Sequence, residues 1–229
     1  MSIVGKYVDS DYPFFQTSDP AGSALVQFDD LGLEEAPVLE DGAFKGLIRI
    51  EALKEAAAPG AGKGEETTLQ ELPLEDCHIA DPEEHILDVF DRLIGDSESN
   101  VLCVVSKDGV YRGVLSKKDA IRAIGKTFHF SEGGVTLELE APALGVKISE
   151  IVGMIEKNDA TVLSFGITEP VPGDQMMLMT FRLHCGDVYR LVTNLEKYGY
   201  HIRYARPTVG EGVDELREKA LEFMRYIDM

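Results

Sequence analysis

The chain has 229 residues, 44% of them hydrophobic, which is enough to bury a real core in one or two domains. Its formal net charge of -19 excludes a general nucleic-acid or anionic-membrane binder, since both need a basic face. No apolar run is long enough to span a bilayer, and the start MSIVGKYVDSDYPFF lacks the basic residues and apolar stretch of a signal peptide.

Read in chain order, the first half contains a repeat. Asp19-Pro20 opens a helical pattern, with Asp expected as N-cap and Pro at the first helical position. Ala24, Leu25 and Phe28 give that helix its apolar face. Asp41-Gly-Ala-Phe-Lys-Gly-Leu-Ile48 then reads as a tight hairpin, because an Asp-Gly pair between apolar runs supplies the positive φ such turns need. The stretch Ala58-Pro-Gly-Ala-Gly-Lys-Gly-Glu-Glu66 is a glycine-rich polar linker. Its Gly-Lys-Gly is not a phosphate loop, because no Ser or Thr follows the lysine and no strand precedes it.

The same signals return after the linker. Asp81-Pro82 is expected to open a second helix, with Ile86, Val89, Phe90 and Leu93 on its apolar face. Cys103 lies in an apolar run and reads as a small core residue. With Cys77 and Cys185 it makes an odd, well-spread set, which predicts reduced thiols in a cytoplasm. Asp108-Gly-Val-Tyr-Arg-Gly-Val-Leu115 matches the first hairpin without a gap. The second copy has about five more residues before its first hairpin strand, and Gly95–Asn100 is the place for them. Boundaries follow at 11–57 and 74–127 for the two copies, with 58–73 between them. Neither copy can cover its own small sheet on both faces, whereas two packed together can.

Ser116 and Asp119 close the second copy. Ser116-Lys-Lys-Asp119 has the form of a capping box, in which the serine accepts from an orphan amide and the acid suits the helix dipole. The same two side chains suit a sugar diol, since a carboxylate can accept from two adjacent hydroxyls. Arg112, Lys117, Lys118 and Arg122 gather cations there, and a helix start attracts phosphate. The first copy departs from this pattern. Arg49 stands where Ser116 does and Ala52 where Asp119 does, while Glu51, one place early, points about 100° away around the helix. One competent site, in the second copy, is therefore expected. Arg49 suits an ordinary surface salt bridge, or a reach to phosphates in a shared cleft.

The paired pattern over roughly residues 11–127 resembles the CBS domain family. Gly113, Val114, Ser116 and Asp119 match that family's run of glycine, aliphatic, any residue, Ser or Thr, two residues, Asp. The resemblance implies β-α-β-β-α units, an adenosine-containing ligand, and a ribose held by Ser116 and Asp119. His78, Ile79, Ala80 and Val114 would form the base pocket. Backbone at His78 and Ala80 would read the base edge, and Ile79 would cover a ring face. Arg112, Lys117 and Lys118 would meet phosphate.

The second half changes pattern. Val135-Thr-Leu-Glu-Leu139 alternates as a strand; Ile148, Ile151, Val152 and Ile155 space as a helix. Ala160–Phe165 and Met176–Phe181 read as strands, Val188, Leu191, Val192 and Leu195 as a helix face, and Tyr200–Tyr204 as a strand. The order is a ferredoxin-like βαββαβ unit, so the whole chain reads as α+β or α/β. That order, together with Leu195-Glu-Lys-Tyr-Gly-Tyr200, resembles an ACT domain over roughly 134–207. ACT domains are regulatory, often bind amino acids and commonly pair as dimers. The loop Glu140–Ile148 departs from their pattern, with Ala143 where a glycine is usual. Met176–Met179 reads as strand core, and His184-Cys185 lacks a second pair at metal spacing. A last helix is expected over 211–229, striped by Val213, Leu216, Ala220, Phe223, Met224 and Ile227.

No catalytic constellation is present in the sequence. The combination resembles CBS–ACT regulators of the acetoin-utilisation type. It implies a non-enzymatic, cytoplasmic sensor of an adenine nucleotide or S-adenosylmethionine, a homodimer, and an enzyme or transporter as the regulated partner. Two alternatives stand beside it: a structural adaptor with decayed sites, and an amino-acid sensor acting through the second module.

Overall fold

A computed structural model of the chain describes residues 2–58, 67–95, 99–168 and 175–208. Most of the glycine-rich linker, most of the insertion after Gly95 and the expected helix at 211–229 lie outside these residues. The chain divides into two compact units, Met1–Ile124 and Gly125–Met229. Among the described residues, no helix is long and apolar enough to cross a membrane.

The first unit holds the β-α-β-β-α arrangement twice. The first copy is β1 (Phe15–Gln16), α1 (Ala21–Leu31), β2 (Glu35–Glu40), β3 (Ala43–Arg49) and α2 (Ile50–Ala57). The second is β4 (Ile79–Ala80), α3 (Phe90–Ile94), β5 (Val101–Val105), β6 (Tyr111–Ser116) and α4 (Lys117–Thr127). Each forms a three-stranded sheet, β1-β2-β3 or β4-β5-β6, with its first pair parallel and its second antiparallel.

The two Asp-Gly turns differ. Asp41 (φ 51°) and Gly42 (φ 82°) are both left-handed and join Glu40 to Ala43, a two-residue type I′ hairpin. In the second copy Gly109 alone is left-handed (φ 82°), and its amide donates to Ser106 O at 2.7 Å. That loop has three residues between Ser106 and Val110, the other common hairpin solution.

The helix starts also differ from expectation. Asp19 caps nothing, because its Oδ2 accepts from Gln16 N at 2.7 Å, and α1 begins at Ala21 with Pro20 in the capping place. Asp81 Oδ1 accepts from Glu83 N at 2.8 Å, and α3 does not begin until Phe90. Ile86 and Val89 are fully buried from turns rather than from a helix. The reason lies in the first residues of the chain. Val4 N donates to Glu84 O, Gly5 N to Pro82 O, and Ile86 N to Ser2 O, each at 2.9 Å. Backbone groups that a helix would have satisfied find partners in this leader instead.

A second leader does the same for the first copy. Thr68–Glu71 forms a capping box at the start of a 3-10 turn, and Leu69 and Leu72 enter the first core beside Phe28, Val38 and Leu53. The leaders are exchanged: residues 2–9, which precede the first copy, pack on the second, and residues 68–75, which precede the second, pack on the first. Asp9 pairs with Val114, and Glu75 with Leu47. In each hairpin the cation before the repeated glycine, Lys45 or Arg112, falls out of register as a bulge, and Gly46 or Gly113 then lies under the incoming leader.

The second unit is β7 (Gly134–Pro142), α5 (Ile148–Lys157), β8 (Ala160–Thr168), β9 (Met176–Cys185), α6 (Val188–Lys197) and β10 (His201–Thr208). Its antiparallel sheet has the order β10-β7-β9-β8, so the βαββαβ topology read from the sequence is present. Val135, Leu137, Leu139 and Ala141 alternate into a core with Met179, Phe181, Ile151, Ile155, Leu191 and Leu195.

On β7, Glu140 accepts from Arg203 Nε at 2.8 Å and lies 2.8 Å from His201 Nδ1. Arg203, and then His201, holds its carboxyl below the usual carboxylate range. A lowered folded-state value stabilises the fold above the ordinary range, and that contribution fades as pH falls through the folded value. Glu140→Gln is therefore expected to lower stability at pH ~6 and above, where this contribution is fully present, and to leave it nearly unchanged below the folded value, which flattens the acid side of the stability–pH curve measured by urea midpoints.

Candidate functional site

The local fold explains why Ser116 and Asp119 meet. β6 ends at Ser116 and α4 starts at Lys117, so the serine stands at the helix mouth. Its Oγ accepts from Asp119 N at 3.0 Å and donates to Asp119 Oδ2 at 2.6 Å. Arg122 Nη1 donates to Asp119 Oδ1 at 3.1 Å. The cap is thus formed. Each carboxylate oxygen has one partner and retains acceptor capacity, and the Asp119 side chain is 38% exposed.

The sheet register places the other residues. Ile79 pairs with Cys103, and Cys103 with Val114, so Ile79 and Val114 share one transverse row on either side of β5. Ser116 is two residues further along β6, on the same face as Val114. Val114 is fully buried among Leu47, Val101 and Cys103, and Ile79 is 49% exposed. Ala80 turns its side chain into the opposite, helix-covered core, leaving only backbone on the candidate face. His78 is exposed; its carbonyl accepts from Cys77 Sγ at 3.2 Å, and the Ile79 carbonyl accepts from Arg92 Nη1 at 2.8 Å.

The expected cation group is split. Lys117 and Lys118 lie in the first turn of α4, but Arg112 stands four residues before Ser116 along β6, about 13 Å from it at strand rise. There Arg112 Nε donates to Ser106 Oγ at 3.1 Å, and its guanidinium lies 3.9 Å from Asp108. It lines an open cavity of about 650 Å³ with Lys107, Asp108, Asp81, Glu83 and Ser10; neither Ser116 nor Asp119 borders this space.

In the first copy, Arg49 Nε donates to Glu75 Oε2 at 2.6 Å, a salt bridge to the second leader. Ala52 packs against the first core. A counterpart of the Ser116–Asp119 pair is therefore absent from that copy in space as well as in sequence.

Sequence reasoning missed Glu35. This carboxylate, 4% exposed on β2, accepts from Ser99 Oγ at 2.9 Å and from Asn100 N at 2.6 Å. Asn100 O in turn accepts from Lys117 N at 2.9 Å, so the first copy reaches the mouth of α4 through Glu35. Glu34-Glu35 reads as a solvated acid pair; only its position opening the buried strand Ala36–Leu39 hints that one of the two turns inward.

Comparison with known proteins bears on the second copy. Residues 69–126 match the CBS domain family. No curated protein matches the chain. Among solved structures, a CBS domain pair/ACT domain protein from Thermotoga maritima is 20% identical, with 54% of this chain and 97% of that one covered and a TM-score of 0.46. CBSX2 in complex with AMP is 17% identical, with 55% and 98% covered and a TM-score of 0.47. CbpB in complex with c-di-AMP is 16% identical, with 56% and 88% covered and a TM-score of 0.49. The segment 69–126, which joins the second leader to the second copy, is thus similar to the CBS domain.

Proposed function

We propose that residues 11–127 are a regulatory pair of CBS-type repeats that senses an adenosine-containing ligand through the second repeat. One observation carries the reading. Within the segment that matches the CBS domain, the Gly113–Asp119 run folds so that a hydroxyl and a half-exposed carboxylate stand together at the mouth of α4. A ribose diol donates to the free lone pairs of Asp119 without breaking the Ser116 or Arg122 bonds. Ile79 and the His78 and Ala80 backbone take the base beside Val114, and Lys117 and Lys118 face the phosphate. The 134–207 unit serves as an ACT-type module, giving the chain a second input and a means to dimerise, and an enzyme or transporter receives the signal.

Thermal shift tests the reading. AMP, ATP, NAD, S-adenosylmethionine and c-di-AMP are compared, then free amino acids. A true ligand at 100 times its dissociation constant adds about 2.7 kcal/mol of stability. That gain is expected for one adenosine compound and is lost in Asp119→Ala. Circular dichroism checks that the variant folds, since a first-turn acid itself contributes up to about 1 kcal/mol. Stabilisation by amino acids alone moves the sensing role to the second unit. Stabilisation by neither class favours the adaptor, whose mark is already present in the first repeat, where Arg49 and Glu75 form a salt bridge in place of a site.

A further inference from the structure

We propose that Cys77 and Cys103 are an oxidative modification site, closing to a reversible disulfide at the junction of the two repeats when the protein meets a hydroperoxide. The two thiols are far apart in sequence and together in space. β5 alternates: Leu102 and Val104 face the helix-covered core, while Val101 and Cys103 face Leu47 and Val114 in the layer between the repeats. Cys77 precedes β4 by two residues, and Ile79 of β4 pairs with Cys103. Cys77 packs against the same inter-repeat cluster that holds Cys103. Both are free thiols; Cys103 is fully buried and Cys77 half-buried.

Their roles are unequal. Cys103 beside it draws the Cys77 thiol below its ordinary value, whereas the same neighbour and burial push the Cys103 thiol up. Cys77 is therefore the attacking sulfur and Cys103 the resolving one. The Cys77 thiolate attacks a peroxide oxygen and the O–O bond breaks. Cys77 becomes a sulfenic acid, and the released hydroxide takes up the proton that Cys77 lost, giving water. The Cys103 sulfur then attacks the Cys77 sulfur. The S–S bond forms, the S–O bond breaks, and the Cys103 proton leaves with the hydroxyl as a second water. Two thiols are oxidised by two electrons, and one hydrogen peroxide is reduced to two waters.

The bond would act on the chain that crosses between repeats. Glu75 is hydrogen-bonded to Leu47 and ion-paired with Arg49 of the first repeat, and Cys77 lies two residues further on. A disulfide to the middle of β5 fixes that crossing segment at both ends.

The full native chain is treated with hydrogen peroxide, quenched, denatured and alkylated, with free glutathione oxidised alongside as a control. The untreated chain carries three cysteines and takes three alkyl groups. The treated chain is expected to take one, on Cys185, and to yield a linked Cys77–Cys103 peptide that dithiothreitol releases. Cys185→Ser is expected to keep the link. Cys103→Ser is expected to leave a Cys77 sulfenic acid that dimedone traps. Three alkylated thiols after glutathione has oxidised, or Cys77 linked to Cys185 or to another chain, overturns the proposal.

Discussion

Gly113→Ala is expected to cost about 2–5 kcal/mol, from a strained backbone and an overpacked contact together. Gly113 has φ +133°, a region that side chains rarely enter. A Cβ there would lie 2.3 Å from Asp9 O and 2.6 Å from Val8 Cγ1. The leader cannot yield cheaply, because Asp9 N donates to Val114 O at 2.8 Å and Val114 N to Asp9 O at 3.1 Å. Upstream, Val4 is fully buried in the second core with Ile86, Leu102 and Leu115. Accommodating one methyl therefore means lifting a paired segment and withdrawing a core side chain. Gly42→Ala is the control. Gly42 also has positive φ, but nothing lies within 4 Å of its added Cβ. It is expected to lose only the conformational part, about 1–2 kcal/mol. Urea unfolding of the two variants separates the terms, and equal losses would mean that the leader does not lie against Gly113.

The repeated Asp-Gly-x-aromatic-cation-Gly stretch shows what the sequence conveyed. Its turns, its two strands and the following helices are encoded locally, in turn residues and apolar spacing, and they form where those signals lie. The function of the second glycine was hidden, because what forbids a side chain at Gly46 or Gly113 is a leader from elsewhere in the chain. The leaders were hidden for the same reason. Val4 and Leu69 are short apolar signals in polar surroundings, and their cores belong to the other repeat. The Asp81-Pro82 helix failed on the same contact, since hydrogen bonds from Ser2–Gly5 replaced the helical ones.

The candidate site was legible to a similar depth. Ser116 and Asp119 are three residues apart on one helix turn, so their meeting needs no tertiary information. Closeness in sequence groups Arg112 with Lys117 and Lys118, but a strand carries neighbours apart at about 3.3 Å per residue. Cys77 and Cys103 show the converse: the parallel pairing of β4 with β5 brings together two residues with no sequence link. The βαββαβ unit was the most legible part. Its strands alternate with period two and its helices bury one face, as Leu137, Leu139, Ile151 and Ile155 show.

Glu35→Ala is expected to lower stability by about 1–3 kcal/mol, because it takes the acceptor from a part-buried amide and one of the partners from a buried hydroxyl. The carboxylate takes the Ser99 hydroxyl and the Asn100 amide. Ser99 retains Val101 O at 2.9 Å, but the Asn100 amide loses the only acceptor that the described hydrogen bonds give it. The damage extends beyond stability. Glu35 belongs to β2 of the first repeat, Asn100 leads into β5 of the second, and Asn100 O accepts the first amide of α4. Loss of this tie frees the mouth of α4 from the first repeat while leaving the Ser116–Asp119 cap intact. Hydrogen exchange reads the difference: protection at Asn100 and Lys117 is expected to fall well before that of β7 or β9 in the second unit. Glu35→Gln keeps an acceptor oxygen in place and is expected to recover more than half of the loss, since a neutral hydrogen bond is roughly half as strong as a charge-assisted one and no donor is stranded. If Glu35→Gln proves as damaging as Glu35→Ala, the charge itself, and not the acceptor, holds the two repeats together at this point.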